Sequence, residues 1–212
     1  MSEQRPPSGA AGDLDILGAL SASDRLTIAV VTVGAGVLVF ALLEPATALA
    51  ALMFAGLAVT VAAADARLML IPNILSLALF AGGLAATTLV AAFRPDPLGL
   101  SDPWLTTLAL GVAGAIVGAA VLAALRWAWL KARGVEAIGF GDVKLAGALG
   151  AWLGPIDLFY AFLVAALAGL ALVAVGRALR IAAISANDPR ARLPFAALPA
   201  PAAWLVFVLV RM

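Results

Sequence analysis

Apolar runs of close to twenty residues recur from Leu26 to Val210, each closed by a short polar or proline-bearing break. Coiled as an α-helix at about 1.5 Å per residue, a run of that length crosses the roughly 30 Å hydrocarbon core of a bilayer. The breaks predict spans at 26–43, 47–64, 71–93 and 104 to about 129. Glu44-Pro45-Ala46 makes the first connection tight, and Asp65-Ala66-Arg67-Leu68-Met69-Leu70 reads as a short second loop. Pro72 suits the first turn of the third span. Three prolines mark the loop 94–103, and Trp104 and Trp129 bracket the fourth span as interfacial aromatics do.

A polar loop, 131–142, leads into the apolar segment 142–153. Twelve helical residues rise only about 18 Å, too little to cross alone. Gly147, Gly150 and the alanines Ala146, Ala148 and Ala151 would let neighbouring helices come close, which suits an internally packed span. Gly154-Pro155 turns the chain, 156 to about 178 crosses again, and a basic loop 180–192 precedes a last span at 193–210, interrupted by Pro199 and Pro201. The expected fold is an all-α polytopic membrane bundle of about six to seven transmembrane helices, with one domain over 25–212. Residues 1–24, with Pro6, Pro7, Gly9 and Gly12, read as a disordered tail, not a signal peptide.

Composition agrees: 65% of the residues are hydrophobic and 12% charged, with a mean hydropathy of +1.12. A net charge of +1 does not point to nucleic acid. The chain has no cysteine and no histidine, which excludes disulfides, thiolate or imidazole metal ligands, Ser-His-Asp triads and Cys-His dyads. No cofactor is implied, and hydrolytic chemistry would rest on carboxylates, lysines or hydroxyls.

Charge orients the predicted spans. Arg5, Arg25, Arg67, Arg126, Lys131, Arg133, Lys144, Arg177, Arg180, Arg190 and Arg192 fall on one side, and only Arg94 and Arg211 on the other. The basic side is expected to be cytoplasmic. That assignment also puts Asp65 and Asp142 at one membrane face, though nothing in the charge count required it. Two acids near span ends can simply face water, and Asp142 can cap the helix it opens. Alternatively they form a dyad, in which one carboxyl keeps a proton while the other activates water.

The motifs Asp65-x-Arg67-x-x-x-Ile71-Pro72-Asn73 and Gly139-x-Gly141-Asp142-Val143-Lys144-Leu145 resemble those of the type IV prepilin peptidases, membrane aspartic proteases of the GxGD class. The resemblance covers about residues 46–210, and Pro194-Phe195 resembles the family's carboxy-terminal motif. It implies that Asp65 and Asp142 are the catalytic pair and that Gly139 and Gly141 shape the backbone presenting Asp142. The implied substrate is a pilin-like precursor with a short basic leader, cut at the cytoplasmic face of the inner membrane. Larger members carry paired Cys-x-x-Cys motifs in a cytosolic domain and also methylate the new amino terminus. Without cysteine, this chain is expected to be a short form that only cleaves.

Arg67 and Lys144 are expected to be interfacial anchors, and Asn73 to bond backbone near the start of its helix. Gly34, Gly36, Gly111, Gly114, Gly118 and Gly169 read as packing positions. A proton- or cation-coupled transporter would also use intramembrane acids, but neither aspartate motif has a second copy. Signal peptide peptidase and presenilin share GxGD but pair it with Tyr-Asp and Pro-Ala-Leu, where this chain has Ala64-Asp65 and no Pro-Ala-Leu.

Overall fold

The computed structural model describes residues 20–93, 102–136, 138–178 and 195–212. Among these, every regular element is helical: α1 (Ala22–Leu42), α2 (Pro45–Leu68), α3 (Asn73–Phe93), α4 (Pro103–Arg133), α5 (Phe140–Ala178), a 3-10 turn at Phe195–Ala197 and α6 (Pro199–Leu209). In lipid each backbone N–H and C=O must find its partner within the segment, which a helix alone achieves without a closed barrel. The first five helices are long and apolar enough to cross a membrane. The bundle is the all-α polytopic architecture expected. Residues 1–19 of the expected tail 1–24, most of the loop 94–103 and the basic loop 180–192 lie outside the described residues.

Three boundaries differ from expectation. Helix α1 begins at Ala22, inside the stretch read as a tail, because Ser21 caps it. The Ser21 side chain accepts from the Asp24 N–H, and Asp24 reaches back to the Ser21 N–H at 3.0 Å, a reciprocal capping box. Helix α2 continues through Asp65 and Arg67 to Leu68, where a loop was expected, and stops only at Met69 in the left-handed conformation (φ 51°). Alanine-rich sequence around one acid and one base favours helix over a turn. The last span, expected over 193–210, is α-helical only from Pro199, after the 3-10 turn at Phe195–Ala197. Pro199 and Pro201 fall in the first turn of α6, where a missing N–H costs nothing.

Helix α5 carries the fold. Gly154 has φ 73° and ψ 178°, a conformation essentially reserved for glycine, and Pro155 starts a new arm. A Cβ placed on Gly118 of α4 would lie 2.5 Å from the Ala146 carbonyl oxygen and 2.7 Å from Leu158 Cδ2. Residues that a straight helix would hold about 18 Å apart along its axis thus meet at one point. Phe162 likewise packs on the cluster of Leu122, Val143 and Ala146. The chain therefore reverses at Gly154, as the Gly-Pro pair predicts. The first arm, 140–153, is buried on every side from Leu145 onward, as a helix surrounded by others must be.

Close approach makes that possible. A Cβ on Gly114 would stand 2.3 Å from the Gly150 carbonyl oxygen, and one on Gly150 would be 2.2 Å from that of Gly114. Backbone thus meets backbone where α4 crosses the first arm. On its other side Trp152 fills the core. Its indole stacks on Phe54 with centroids 4.4 Å apart and meets Phe207 edge-on at 5.7 Å. Its Nε1 donates to the Leu79 carbonyl at 2.7 Å, and its face lies where Gly83 leaves room. Arg211 finishes the end of the arm, donating to the Trp152 carbonyl at 3.4 Å while its guanidinium covers the Phe207 ring. A cation there suits the negative end of the helix dipole and the carbonyls the reversal leaves open.

Candidate active site

The two acids come from different helices and are held in different ways. Asp65 closes the buried stripe of α2. Thr47, Ala51, Phe54, Ala58, Val61 and Asp65 recur at alternating steps of four and three residues, and all are buried, Asp65 with 6% of its surface exposed. The carboxylate is thus drawn into the bundle by the periodicity that places the core. Its Oδ2 accepts a hydrogen bond from the Ala196 backbone N–H at 2.8 Å. Ala196 is itself wholly buried, in the 3-10 turn ahead of α6.

Asp142 sits in the first turn of α5, half-buried. Its Oδ2 accepts from the Gly139 N–H at 3.1 Å, the return half of a capping box, so the capping role expected from the sequence is filled as well. Neither Gly139 nor Gly141 has a positive φ, and the Gly139 carbonyl accepts from the Asp142 N–H at 3.2 Å, so the two glycines frame a tight turn. Gly141 is helical and matters for space: a Cβ there would stand 3.3 Å from Ile71 Cβ. The Asp142 turn can thereby lie directly on the loop that follows Asp65.

The structure brings the two motifs together. Gly141 packs on Ile71 in the connection that follows α2, and Lys144 reaches Asn73 from the same turn, so the Asp142 motif lies against the Asp65 motif. Each acid spends one oxygen on a backbone N–H, and the Oδ1 of each has no hydrogen-bond partner among the described residues. Two half-satisfied acids at one end of a bundle can share a proton between them. Among the described residues no three His, Cys, Asp or Glu side chains gather as metal ligands would.

Of the flanking residues, Asn73 is placed otherwise than expected. Asn73 does not bond backbone; its Oδ1 accepts from Lys144 Nζ at 2.5 Å. This link joins α3 to α5 across the site, while the same ammonium covers the Phe140 ring at 4.7 Å. Pro72 is buried just ahead of α3, and its carbonyl accepts the Ser76 N–H. Arg67 turns away from Asp65: its Nε and Nη2 both donate to Asp24 Oδ1, at 3.1 and 2.6 Å, fastening α1 to the end of α2. Sequence reasoning missed Asp24 and Ala196. The Ser21-x-x-Asp24 pattern signalled the first, whereas a backbone donor such as Ala196 leaves no signal in residue identity.

A model of the type IV leader peptidase family matches residues 52–174, which include both aspartates. A prepilin leader peptidase/N-methyltransferase of Dickeya chrysanthemi is 37% identical over 150 residues, covering 71% of this chain and 48% of the relative. Proteins with the same name from Pectobacterium carotovorum subsp. carotovorum and Aeromonas hydrophila are 44% identical over 96 residues and 39% over 129, covering 41% and 59% of this chain and 34% and 40% of theirs. The chain thus spans about half the length, or less, of these curated relatives. No solved structure matches it. A transporter finds no support in these relatives. With its family model covering more than half the sequence and both aspartates inside the match, the chain belongs to the type IV leader peptidase family.

Proposed function

We propose that this protein is a membrane aspartic endopeptidase that removes the basic leader from pilin-like precursors at the cytoplasmic face of the inner membrane. The observation that carries the reading is the packing of the Asp65 and Asp142 motifs against each other, from separate helices, each acid with one oxygen unbonded among the described residues. In the reaction one carboxylate takes a proton from water as the oxygen attacks the scissile carbonyl carbon. The other, protonated, acid gives its proton to the carbonyl oxygen, and the tetrahedral intermediate collapses with proton transfer to the departing amine. One acid must be ionised and the other not, so kcat passes through a maximum with pH.

The placement supports cleavage near the membrane surface, since both acids lie at helix ends. The excess of arginine and lysine on that side, including Arg25, Arg67, Arg126, Lys131, Arg133 and Lys144, supports a cytoplasmic orientation. Methyl transfer, the second activity in the relatives' names, is not part of the proposal, because no residue of this chain is assigned to it. The test is co-expression with a pilin-like precursor and mass spectrometry of its amino terminus. The parent chain is expected to yield a shortened product, and Asp65→Asn and Asp142→Asn the intact precursor. A product from either variant at the parent's rate overturns the assignment.

A further inference from the structure

Asp65 and Asp142 differ in what holds them. The donor to Asp142 is Gly139, three residues back at the start of the same helix, so that anchor forms wherever α5 forms. The donor to Asp65 is Ala196, 131 positions away, reaching it from the turn that leads into α6. Ala196, Ala200, Ala203, Val206 and Phe207 all lie in the core, so α6 and the turn are locked against α2. A backbone N–H in such a turn cannot rotate away as a side-chain donor can, and its direction fixes the plane of the carboxylate that accepts it.

We propose that Ala196 is a positioning residue for the cleavage reaction: its N–H holds Asp65 Oδ2, so that Oδ1 is the oxygen offered to the reacting water. The inference rests on the aspartic-peptidase reading and adds to it a third element, the turn before α6, which lies beyond the 52–174 family match. It also gives α6 a role in catalysis although none of its side chains touches either acid in the hydrogen-bond network.

The test removes the N–H and keeps the rest. Lactic acid incorporated at position 196 replaces the N–H with an ester oxygen without altering the side chain, and Ala196→Pro removes the same donor by ordinary mutagenesis. Losing a hydrogen bond to a charged group should lower kcat roughly tenfold or more, while KM for the precursor stays within about twofold. Ala196→Gly, which keeps the N–H, should rescue kcat relative to Ala196→Pro. If the proline variant fails to insert or fold, the ester variant decides. The inference is overturned if the ester variant keeps the parent's kcat, or if Ala196→Gly falls as far as Ala196→Pro. Cleavage by Asp65→Asn or Asp142→Asn would instead overturn the peptidase reading itself, whatever Ala196 does.

Discussion

The two ends of the short arm 140–153 are built on opposite principles. At its carboxyl end Trp152 is enclosed by Phe54, Phe207 and Gly83, its indole N–H is bonded to Leu79, and its carbonyl is capped by Arg211. At its amino end, about 15 Å away along the helix, Asp142 and its neighbour Asp65 each keep one oxygen without a partner among the described residues. A carboxylate drawn out of water with part of its hydrogen bonding unmade is costly, and the bundle can hold Asp65, buried, and Asp142, half-buried, only where other contacts fix the backbone. The contrast teaches that one end of the arm keeps the structure and the other is left able to react.

The largest effect expected belongs to the reactive end. Asp65→Asn and Asp142→Asn should each lower the cleavage rate by about a thousandfold or more, and the double variant no further, because residues acting as one unit are not additive. Asn is close in size and still hydrogen-bonds, so thermal unfolding in detergent should change little. Asp102→Asn and Asp157→Asn, remote from the site, should cleave as the parent does. A double variant much slower than both singles would mean that the acids act separately.

The packed end should behave the other way. Trp152→Ala empties the space beside Phe54 and Phe207, and replacing a buried tryptophan costs about 3–5 kcal/mol. Unfolding followed in detergent should report that loss, with cleavage per folded molecule reduced far less than in Asp142→Asn. Cleavage lost in step with the aspartate variants, at unchanged stability, would erase the division between the two ends.

A smaller loss is expected where α4 crosses the arm. At Gly114 a Cβ would collide with the Gly150 carbonyl, which cannot rotate out of the way as a side chain can. Gly114→Ala should therefore cost about 1–3 kcal/mol from overpacking. The comparison is Gly34→Ala on α1, where a Cβ meets nothing within 4 Å and helix propensity alone predicts a gain of up to about 1 kcal/mol. Equal effects at the two sites would remove the close crossing as the cause.

Much of this arrangement was legible in the sequence, for identifiable reasons. The spans follow from run length alone, the reversal from Gly154-Pro155, and the close crossing from Gly111, Gly114 and Gly118 facing Gly147 and Gly150. That Asp65 faces inward was also readable, since it completes the four-and-three spacing that begins at Thr47. The helical state of Asp65 and Arg67 was not read, because two charges closing an apolar run look like its end when they are its last turn. The partners of Asn73, Lys144 and Arg67 could not be read either. Each is a long-range contact between side chains on different helices, and a polar residue near a span end has many candidate partners along a chain.

The smallest effect expected concerns Asp24, which joins α1 to the site without entering it. Helix α1 lies outside the family match and buries little of its surface, yet Asp24 holds Arg67 two residues from Asp65. An ion pair with a half-exposed arginine contributes little to stability and is screened by salt. If the pair only fastens α1, Asp24→Ala should leave cleavage within about twofold of the parent, and raised salt should have the same slight effect on the parent. If the pair instead keeps the guanidinium away from Asp65, the freed arginine would pair with that carboxylate. Cleavage would then fall well beyond twofold, and Asp24→Ala combined with Arg67→Gln would restore it. Recovery in the double variant would move α1 from the passive part of the bundle to the reactive end.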